Sequence, residues 1–152
     1  MPNKNNSFES LIQDIIIKAP RRIWARPKGA AYDCIKNLKE KYDFAHLCTI
    51  TGLENGDNFE ILYHLAQEGT GNLLTLRDAV PVSAPETKSI TGLFQSAVWY
   101  EREMLDLLGI KFEGLPAGNR YPLPDDWPAG DHPLRKNWKP AAPAPAAQKE
   151  VK

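Results

Sequence analysis

The sequence predicts an α+β fold, with a small, mostly antiparallel sheet packed against helices and followed by an extended proline-rich C-terminal strap. Two β-rich runs flank an Asn-Gly turn, and two other segments place apolar residues at helical spacing. Eight of the thirteen prolines lie between residues 115 and 145, a density that excludes long helices and central strands there. A length of 152 residues fits one domain.

The N-terminal segment, residues 1–21, is predicted to form a helix. Asn6 is positioned to cap it, and Glu9 three positions later completes a capping-box pattern. Pro20 ends the pattern. The apolar positions at helical spacing are Phe8, Leu11, Ile12, Ile15 and Ile16.

Residues 22–112 are predicted to form the α+β core. Asn55-Gly56 tolerates the positive φ angles of a tight turn, so the flanking runs form a hairpin. Gly109 stands where a helix C-cap is expected. The predicted elements are a strand at Arg22–Ala25, a helix at Lys28–Tyr42 with Ala31, Cys34, Ile35 and Leu38 facing inward, hairpin strands at Phe44–Leu53 and Phe59–Ala66, a strand at Leu73–Val80, a loop at Pro81–Ser89 and a helix at Thr91–Leu108.

The charges balance overall but are segregated along the sequence. Nineteen basic and nineteen acidic side chains give a net charge of +0, which argues against a general electrostatic grip on nucleic acid. Residues 18–41 carry a net charge of +6, whereas residues 42–70 carry −5 with no basic side chain. Two interpretations remain open. The two charged stretches form solvated faces of a helix and a hairpin, or they form a polarised surface that orients the protein within an assembly.

The residues that hold metals or perform thiol chemistry are sparse. Cys34 and Cys48 are the only cysteines, which excludes a disulfide framework or an all-cysteine iron–sulfur site in this protein and fits a reducing cytoplasm. No apolar run approaches the ~20 residues that cross a bilayer. A distant alternative is a stand-alone thiol enzyme, in which Cys48 pairs with His46 or His64, although such spacing arises often by chance.

The last predicted helix places two residues against its amphipathic pattern. At about 100° per residue, the apolar side chains fill one arc, yet Glu101 falls inside it and Trp99 falls in the polar arc. A carboxylate facing the core must find a donor or raise its pKa, so Glu101 either pairs with a buried arginine or handles protons. We expect Trp99 to be covered by a partner protein or by the strap that follows the helix.

The strap, residues 113–138, mixes prolines with large apolar side chains that a linker does not need. We expect it to gain order by lying on a protein surface. As it folds back, Arg120 or Arg135 would pair with carboxylates of the last helix. Those carboxylates are Glu103 and Asp106. Residues 139–152 form an Ala/Pro-rich stretch that is expected to be a disordered tail.

A long ordered motif runs from the last helix through the strap. It comprises Trp99–Glu103, Asp106, Gly109–Gly114, Arg120, Leu123–Trp127 and His132–Trp138, with Leu47–Thr51 and Glu60–Leu65 upstream. Over about Ile23–Trp138, this pattern resembles the 30-kDa subunit family of respiratory complex I, which includes the corresponding subunit of membrane-bound, energy-converting nickel–iron (NiFe) hydrogenases.

The resemblance implies a cofactor-free subunit that is not catalytic by itself and that supports electron transfer. It implies docking on a large catalytic subunit of the hydrogenase or complex I 49-kDa type, beside a small iron–sulfur subunit. Partner subunits would carry the NiFe centre and iron–sulfur clusters, or FMN and iron–sulfur clusters. Integral partner subunits would hold the protein peripherally on the cytoplasmic side of the membrane. The implied interface residues are Trp99, Glu101, Arg102, Glu103, Asp106, Gly109, Phe112, Arg120, Trp127, Pro133, Leu134, Arg135, Lys136 and Trp138.

Two branches of the family compete. Leu115 stands where the quinone-linked branch usually has a histidine, and the stretch from Trp127 to Pro133 is longer than in that branch. The ending Ile50–Gly52 of the first hairpin strand resembles hydrogenase relatives. These features favour the hydrogenase branch, and the alternative is the 30-kDa-type subunit of NADH:quinone oxidoreductase, complex I itself.

Overall fold

The predicted α+β fold class is confirmed by a computed structural model, which describes residues 7–140. Seven strands and two helices follow a short 3-10 turn at Phe8–Leu11. In sequence order they are β1 (Ile12–Ala19), β2 (Arg22–Pro27), α1 (Ala31–Tyr42), β3 (His46–Asn55), β4 (Asn58–Ala66), β5 (Leu73–Pro81), β6 (Glu86–Lys88), α2 (Ala97–Leu108) and β7 (Lys111–Glu113).

The main sheet has five strands in the order β1-β2-β5-β4-β3. Only β2 and β5 run parallel, and the other neighbours are antiparallel. The predicted hairpin is confirmed as β3 and β4, whose turn contains Gly56 at a φ of 61°. The short strands β6 and β7 form a separate parallel pair, and β6 lies where the sequence predicts a loop.

One face of the sheet is covered by the helices, and the other is open. Alternate residues of β4 are fully buried, whereas their neighbours are half-exposed. All four inward-facing residues predicted for the first helix are buried in α1, within the same apolar cluster as the covered face of β4. The buried residues of β4 are Phe59, Ile61, Tyr63 and Leu65.

Helix α2 lies against β3 at very short range. A β-carbon at Gly52 would lie 2.8 Å from both Leu108 Cδ1 and Met104 Sδ, so only glycine permits this contact. The predicted C-cap is confirmed at Gly109, which adopts the left-handed conformation at a φ of 78° and whose N–H donates to Leu105 O.

The predicted N-terminal helix is wrong. Ile12–Ala19 form β1, because β2 offers this stretch an antiparallel partner that local spacing does not reveal. Ser7 caps the short turn through the N–H of Glu9, and Asn6 lies outside the described residues.

Two helix starts are also corrected. Helix α1 begins at Ala31, because Gly29 adopts a φ of 81° that no helix contains. Helix α2 begins at Ala97, and residues 91–96 form turns in which Lys39 donates to the carbonyl of Leu93. The predicted tail falls mostly on residues 141–152, which lie outside the described part.

Candidate protein-docking surface

The C-terminal segment, defined here as residues 114–140, lies along the end of α2. It has neither helix nor strand over its described length, yet it supplies donors to the last three carbonyls of α2. Such carbonyls have no partner inside the helix, so these bonds complete it. They join His132 Nδ1 to Asp106 O (2.7 Å), Leu134 N to Leu107 O (3.0 Å) and Arg135 Nε to Leu108 O (2.8 Å).

Gly109 makes this close approach possible. A β-carbon there would lie 2.6 Å from His132 Nε2 and 2.7 Å from an Nη atom of Arg135. The guanidinium of Arg135 also lies 5.5 Å from the ring centre of Phe59. Arg135 therefore joins α2 to the sheet through a carbonyl and an aromatic ring, and it does not bind a carboxylate of α2, which the sequence allows as one of two pairings.

An ion pair fixes the middle of the C-terminal segment. Arg120 Nε lies 3.3 Å from Asp106 Oδ1, which is one of the pairs the sequence predicts. The same guanidinium donates to Trp127 O at 2.6 Å. Asp106 is buried although the helical pattern places it on the polar side, because the C-terminal segment covers that side. Glu103 makes no ion pair with any described residue.

Glu101 is fully buried, as its place in the apolar arc predicts. Its carboxylate accepts the Ser89 hydroxyl at 2.6 Å and the Ile90 N–H at 2.8 Å. Burial raises the pKa of Glu101, and the two hydrogen bonds oppose that rise. No described arginine forms an ion pair with Glu101, which the sequence allows as one of two roles; the turn after β6 supplies two donors instead. Glu101 thereby ties α2 to that turn.

Trp99 remains 54% exposed, although one neighbour comes from the C-terminal segment. The ring of Tyr121 packs edge-to-face on it, with centroids 5.4 Å apart, and the Arg102 guanidinium lies 5.6 Å from it. Arg102 also donates to the carbonyls of Pro116 and Ala117. The large apolar side chains exposed on α2 and the C-terminal segment are Trp99, Leu105, Tyr121 and Leu134, which we call the α2 patch.

Two hollows border the α2 patch. The first, of about 330 Å³, lies between α2 and the C-terminal segment and is lined in part by Leu105, Tyr121 and the cations Arg102, Lys111 and Arg120. The second, of about 270 Å³, lies between α2 and β3, with Met104, Leu107 and Leu134 on its walls and Glu103 among its lining residues. A surface with apolar anchors, hollows and charges of both signs suits a protein partner.

The other predicted interface residues serve mainly to order the C-terminal segment. Trp127 and Trp138 stack with centroids 6.4 Å apart, and both indole N–H groups donate to Asp131. The backbone N–H of Lys136 donates to Glu54 of β3, while Phe112 is buried and Pro133 is half-buried. Sequence reasoning missed Asp131 and Tyr121, since nothing in their local pattern marks their contacts.

Residues 7–140 contain no group of three or more potential metal ligands. No hydrogen bond joins the Cys48 thiol to His46 or His64 in this part of the protein; His64 Nδ1 instead lies 3.1 Å from Thr75 Oγ1. None of the described helices has the length and apolar character to span a membrane.

Comparison with known proteins identifies a family over most of this structure. Residues 25–144 match the family described as the 30 Kd subunit of respiratory-chain NADH dehydrogenase. The protein is 35% identical over 135 residues to a subunit of the F420H2 dehydrogenase of Methanosarcina mazei, a match that spans 87% of the present sequence and 85% of that subunit. It is 42% identical over 81 residues to formate hydrogenlyase subunit 5 of Escherichia coli, which spans 53% of the present sequence and 14% of that protein.

A solved structure shares the fold. One polypeptide of the membrane-bound sulfane sulfur reductase, an archaeal respiratory membrane complex, superposes with a TM-score of 0.76 at 21% identity. The match spans 87% of the present sequence and 81% of the other.

Proposed function

The protein belongs to the 30-kDa subunit family of respiratory-chain NADH dehydrogenase, and we propose that it is a cofactor-free assembly subunit of a membrane-bound oxidoreductase. The family resemblance expected from the sequence is confirmed. In this proposal the α2 patch docks on the large catalytic subunit, a small iron–sulfur subunit lies nearby, and the partners carry the redox centres. Integral subunits hold the assembly on the cytoplasmic side of the membrane.

The observation that carries this proposal is an ordered surface whose aromatic and aliphatic side chains remain exposed. The hydrogen bonds to α2 and the ion pair of Arg120 with Asp106 order the C-terminal segment without a partner. Trp99 at 54% exposure and Leu134 at 57% nevertheless remain open to solvent. Aromatic residues presented on a preformed surface lose little entropy on binding and commonly act as hot spots.

We favour an energy-converting NiFe hydrogenase as the host complex. Leu115, the long stretch from Trp127 to Pro133 and the identity with formate hydrogenlyase subunit 5 support that choice. The near full-length match to an F420H2 dehydrogenase subunit supports a second candidate, a complex I-like dehydrogenase such as NADH:quinone oxidoreductase, in which this protein would be the 30-kDa-type subunit. In either host the redox chemistry takes place on the partner subunits.

The docking proposal is tested by changing Trp99 in the full-length protein and purifying the complex from its host. Trp99→Glu should lower the amount of large subunit that co-purifies at least about ten-fold, equivalent to about 1.4 kcal/mol of lost binding free energy. The isolated variant should stay folded, with a destabilisation of about 1 kcal/mol from the lost contacts with Tyr121 and Arg102. Trp99→Phe is the control, since it keeps an aromatic ring at the same exposed position. An undiminished yield for Trp99→Glu would refute docking through this patch.

Metal and flavin analysis of the same wild-type complex distinguishes the two hosts. Nickel in the complex would identify the hydrogenase branch. Flavin without nickel would identify the dehydrogenase branch and overturn our preference.

A further inference from the structure

The strand β1 is an unusual sheet edge. Among the described residues it pairs with β2 alone, so its outer row of N–H and C=O groups has no strand partner. Three consecutive isoleucines lie on this edge, and Ile15, Ile16 and Ile17 are exposed by 42%, 44% and 73%. Soluble proteins usually protect such edges with charged residues, proline or bulges.

The isoleucines make the edge apolar on both faces of the sheet. Ile16 lies opposite Trp24, and Ile17, opposite Ile23, alternates to the other face, as successive residues of a strand do. The register is irregular between Gln13 and Ile16, where Asp14 has a φ of 51°, and again between Ile17 and Ala19. These irregularities limit the regular pairing with β2 to Ile16 and Ile17 without making the edge polar.

The surroundings of this edge are basic. The only ion pair near it among the described residues joins Arg26 to Asp14 at 3.7 Å. Lys18, Arg21 and Arg22 make no ion pair within residues 7–140, and the Lys18 ammonium lies over the Trp24 ring. An acidic partner would complement these charges.

Two other occupants fit less well. A second copy paired in parallel would bring Lys18, Arg21 and Arg22 of both copies together, which like-charge repulsion opposes. A second copy paired antiparallel about Ile16 would set Lys18 opposite Asp14, an acid that Arg26 already binds. An anionic lipid surface would satisfy the cations, but its hydrocarbon would leave the edge N–H and C=O groups unpaired, at a cost of several kcal/mol each.

We propose that β1 receives an extended, acidic segment of another subunit as a sixth strand of the sheet, with aliphatic side chains packed on the isoleucines. Such a strand would bind mainly through backbone hydrogen bonds, as in other cases of strand addition. This surface lies at the sheet edge opposite β3 and is separate from the α2 patch. Strand addition at β1 would give residues 18–41, which carry a net charge of +6, a role in orienting the protein within an assembly.

Photo-crosslinking in the intact complex tests this proposal directly. Benzoylphenylalanine is placed at Ile17 of the full-length protein, and the complex is purified from its host, irradiated and digested for mass spectrometry. We expect crosslinks to one contiguous segment of another subunit in which Asp and Glu exceed Lys and Arg. Crosslinks to lipid, to a second copy of this protein or to no protein would overturn the proposal. The same probe at Leu53, on the opposite edge strand, is the control for position.

Charge variants and amide exchange supply a second measurement. The double variant Lys18→Glu, Arg22→Glu should reduce incorporation into the complex about ten-fold, whereas Lys18→Arg, Arg22→Lys should retain it. Assembly should also slow amide exchange in Ile15–Ile17. Equal incorporation of both double variants, or unchanged exchange, would refute strand addition. The Trp99→Glu experiment tests docking through the α2 patch, whereas these variants test strand addition at β1. A negative result for one proposal therefore does not decide the other.

Discussion

Replacing Glu101 tests how the buried carboxylate joins α2 to the turn after β6. In Glu101→Ala the Ile90 N–H is left unpaired in a buried site, and the Ser89 hydroxyl keeps only Thr91 Oγ1, 2.7 Å away, as a side-chain partner. An unpaired buried donor costs about 1–3 kcal/mol. Loss of two charge-assisted bonds, partly offset by removal of a buried charge, gives an expected destabilisation of about 2–4 kcal/mol.

Urea unfolding of the full-length protein, followed by circular dichroism, measures this change. Thermal unfolding should show a fall in Tm of about 5–15 °C, from about 2–4 °C per kcal/mol for a protein of this size. The control is Glu103→Ala, because Glu103 occupies the same helix, is only half-buried and makes no ion pair with a described residue. That variant should change the free energy of unfolding by less than about 0.5 kcal/mol. Equal effects of the two variants would refute the bridging role of Glu101.

The pH dependence of Glu101→Gln gives an independent check. Burial raises the pKa of Glu101 in the folded protein, so its contribution to stability is greatest below the ordinary glutamate pKa and declines as pH rises through the folded value. The contribution of Glu60 to stability depends on pH in the opposite direction. Hydrogen bonds from Asn55 and the nearby Arg77 lower the pKa of Glu60, so its stabilising contribution is lost as pH falls. Glu101→Gln should therefore gain stability relative to wild type as pH rises above about 4.3. If the free energies of unfolding of wild type and Glu101→Gln changed with pH in parallel, the raised pKa of Glu101 would be contradicted.

Gly52→Ala should lower the free energy of unfolding by about 1–3 kcal/mol, because the added methyl group would clash with α2. Gly92→Ala is the control, since no atom lies within 4 Å of the added carbon, and it should leave the free energy of unfolding unchanged. The urea midpoints of the two variants give the comparison. Arg120→Ala should shorten the half-life of the C-terminal segment under chymotrypsin, as followed by gel electrophoresis, and an unchanged half-life would argue against the ion-pair anchor. Iodoacetamide near pH 7 should label the exposed Cys48 of the folded protein. It should spare Cys34 until the protein is denatured, because burial raises the pKa of Cys34 to about 11. Labelling of Cys34 in the folded protein, detected by peptide mass spectrometry, would contradict this protection.

Local pattern was sufficient where an element's neighbours in sequence are also its neighbours in space. The hairpin of β3 and β4 needs only alternating apolar residues and a tight Asn-Gly turn, and the protein folds as that pattern predicts. The buried face of α1 follows equally from helical spacing. For the same reason Gly109 and the inward orientation of Glu101 were predicted correctly.

Local pattern failed where distant contacts outweigh it. Ile12 and Ile16 fit a helical repeat, yet pairing with β2 places them in a strand. Asp106 lies on the polar arc of α2, yet Arg120 and the C-terminal segment bury it. Ser89 and Ile90 provide donors to Glu101 from eleven or more residues away, a pairing that no helical spacing reveals.

Residue types and their order were enough to indicate the family and the fold class, because these depend on an ordered motif and on repeats within a few residues. Only the folded structure determined which surface the strap uses, which apolar groups remain exposed and which sheet edge is open. Those features depend on contacts between residues such as Arg135 and Leu108, whose separation in sequence hides their proximity in space. The exposure of Trp99 and Ile17 is therefore a property of the folded structure that their positions in the sequence do not reveal.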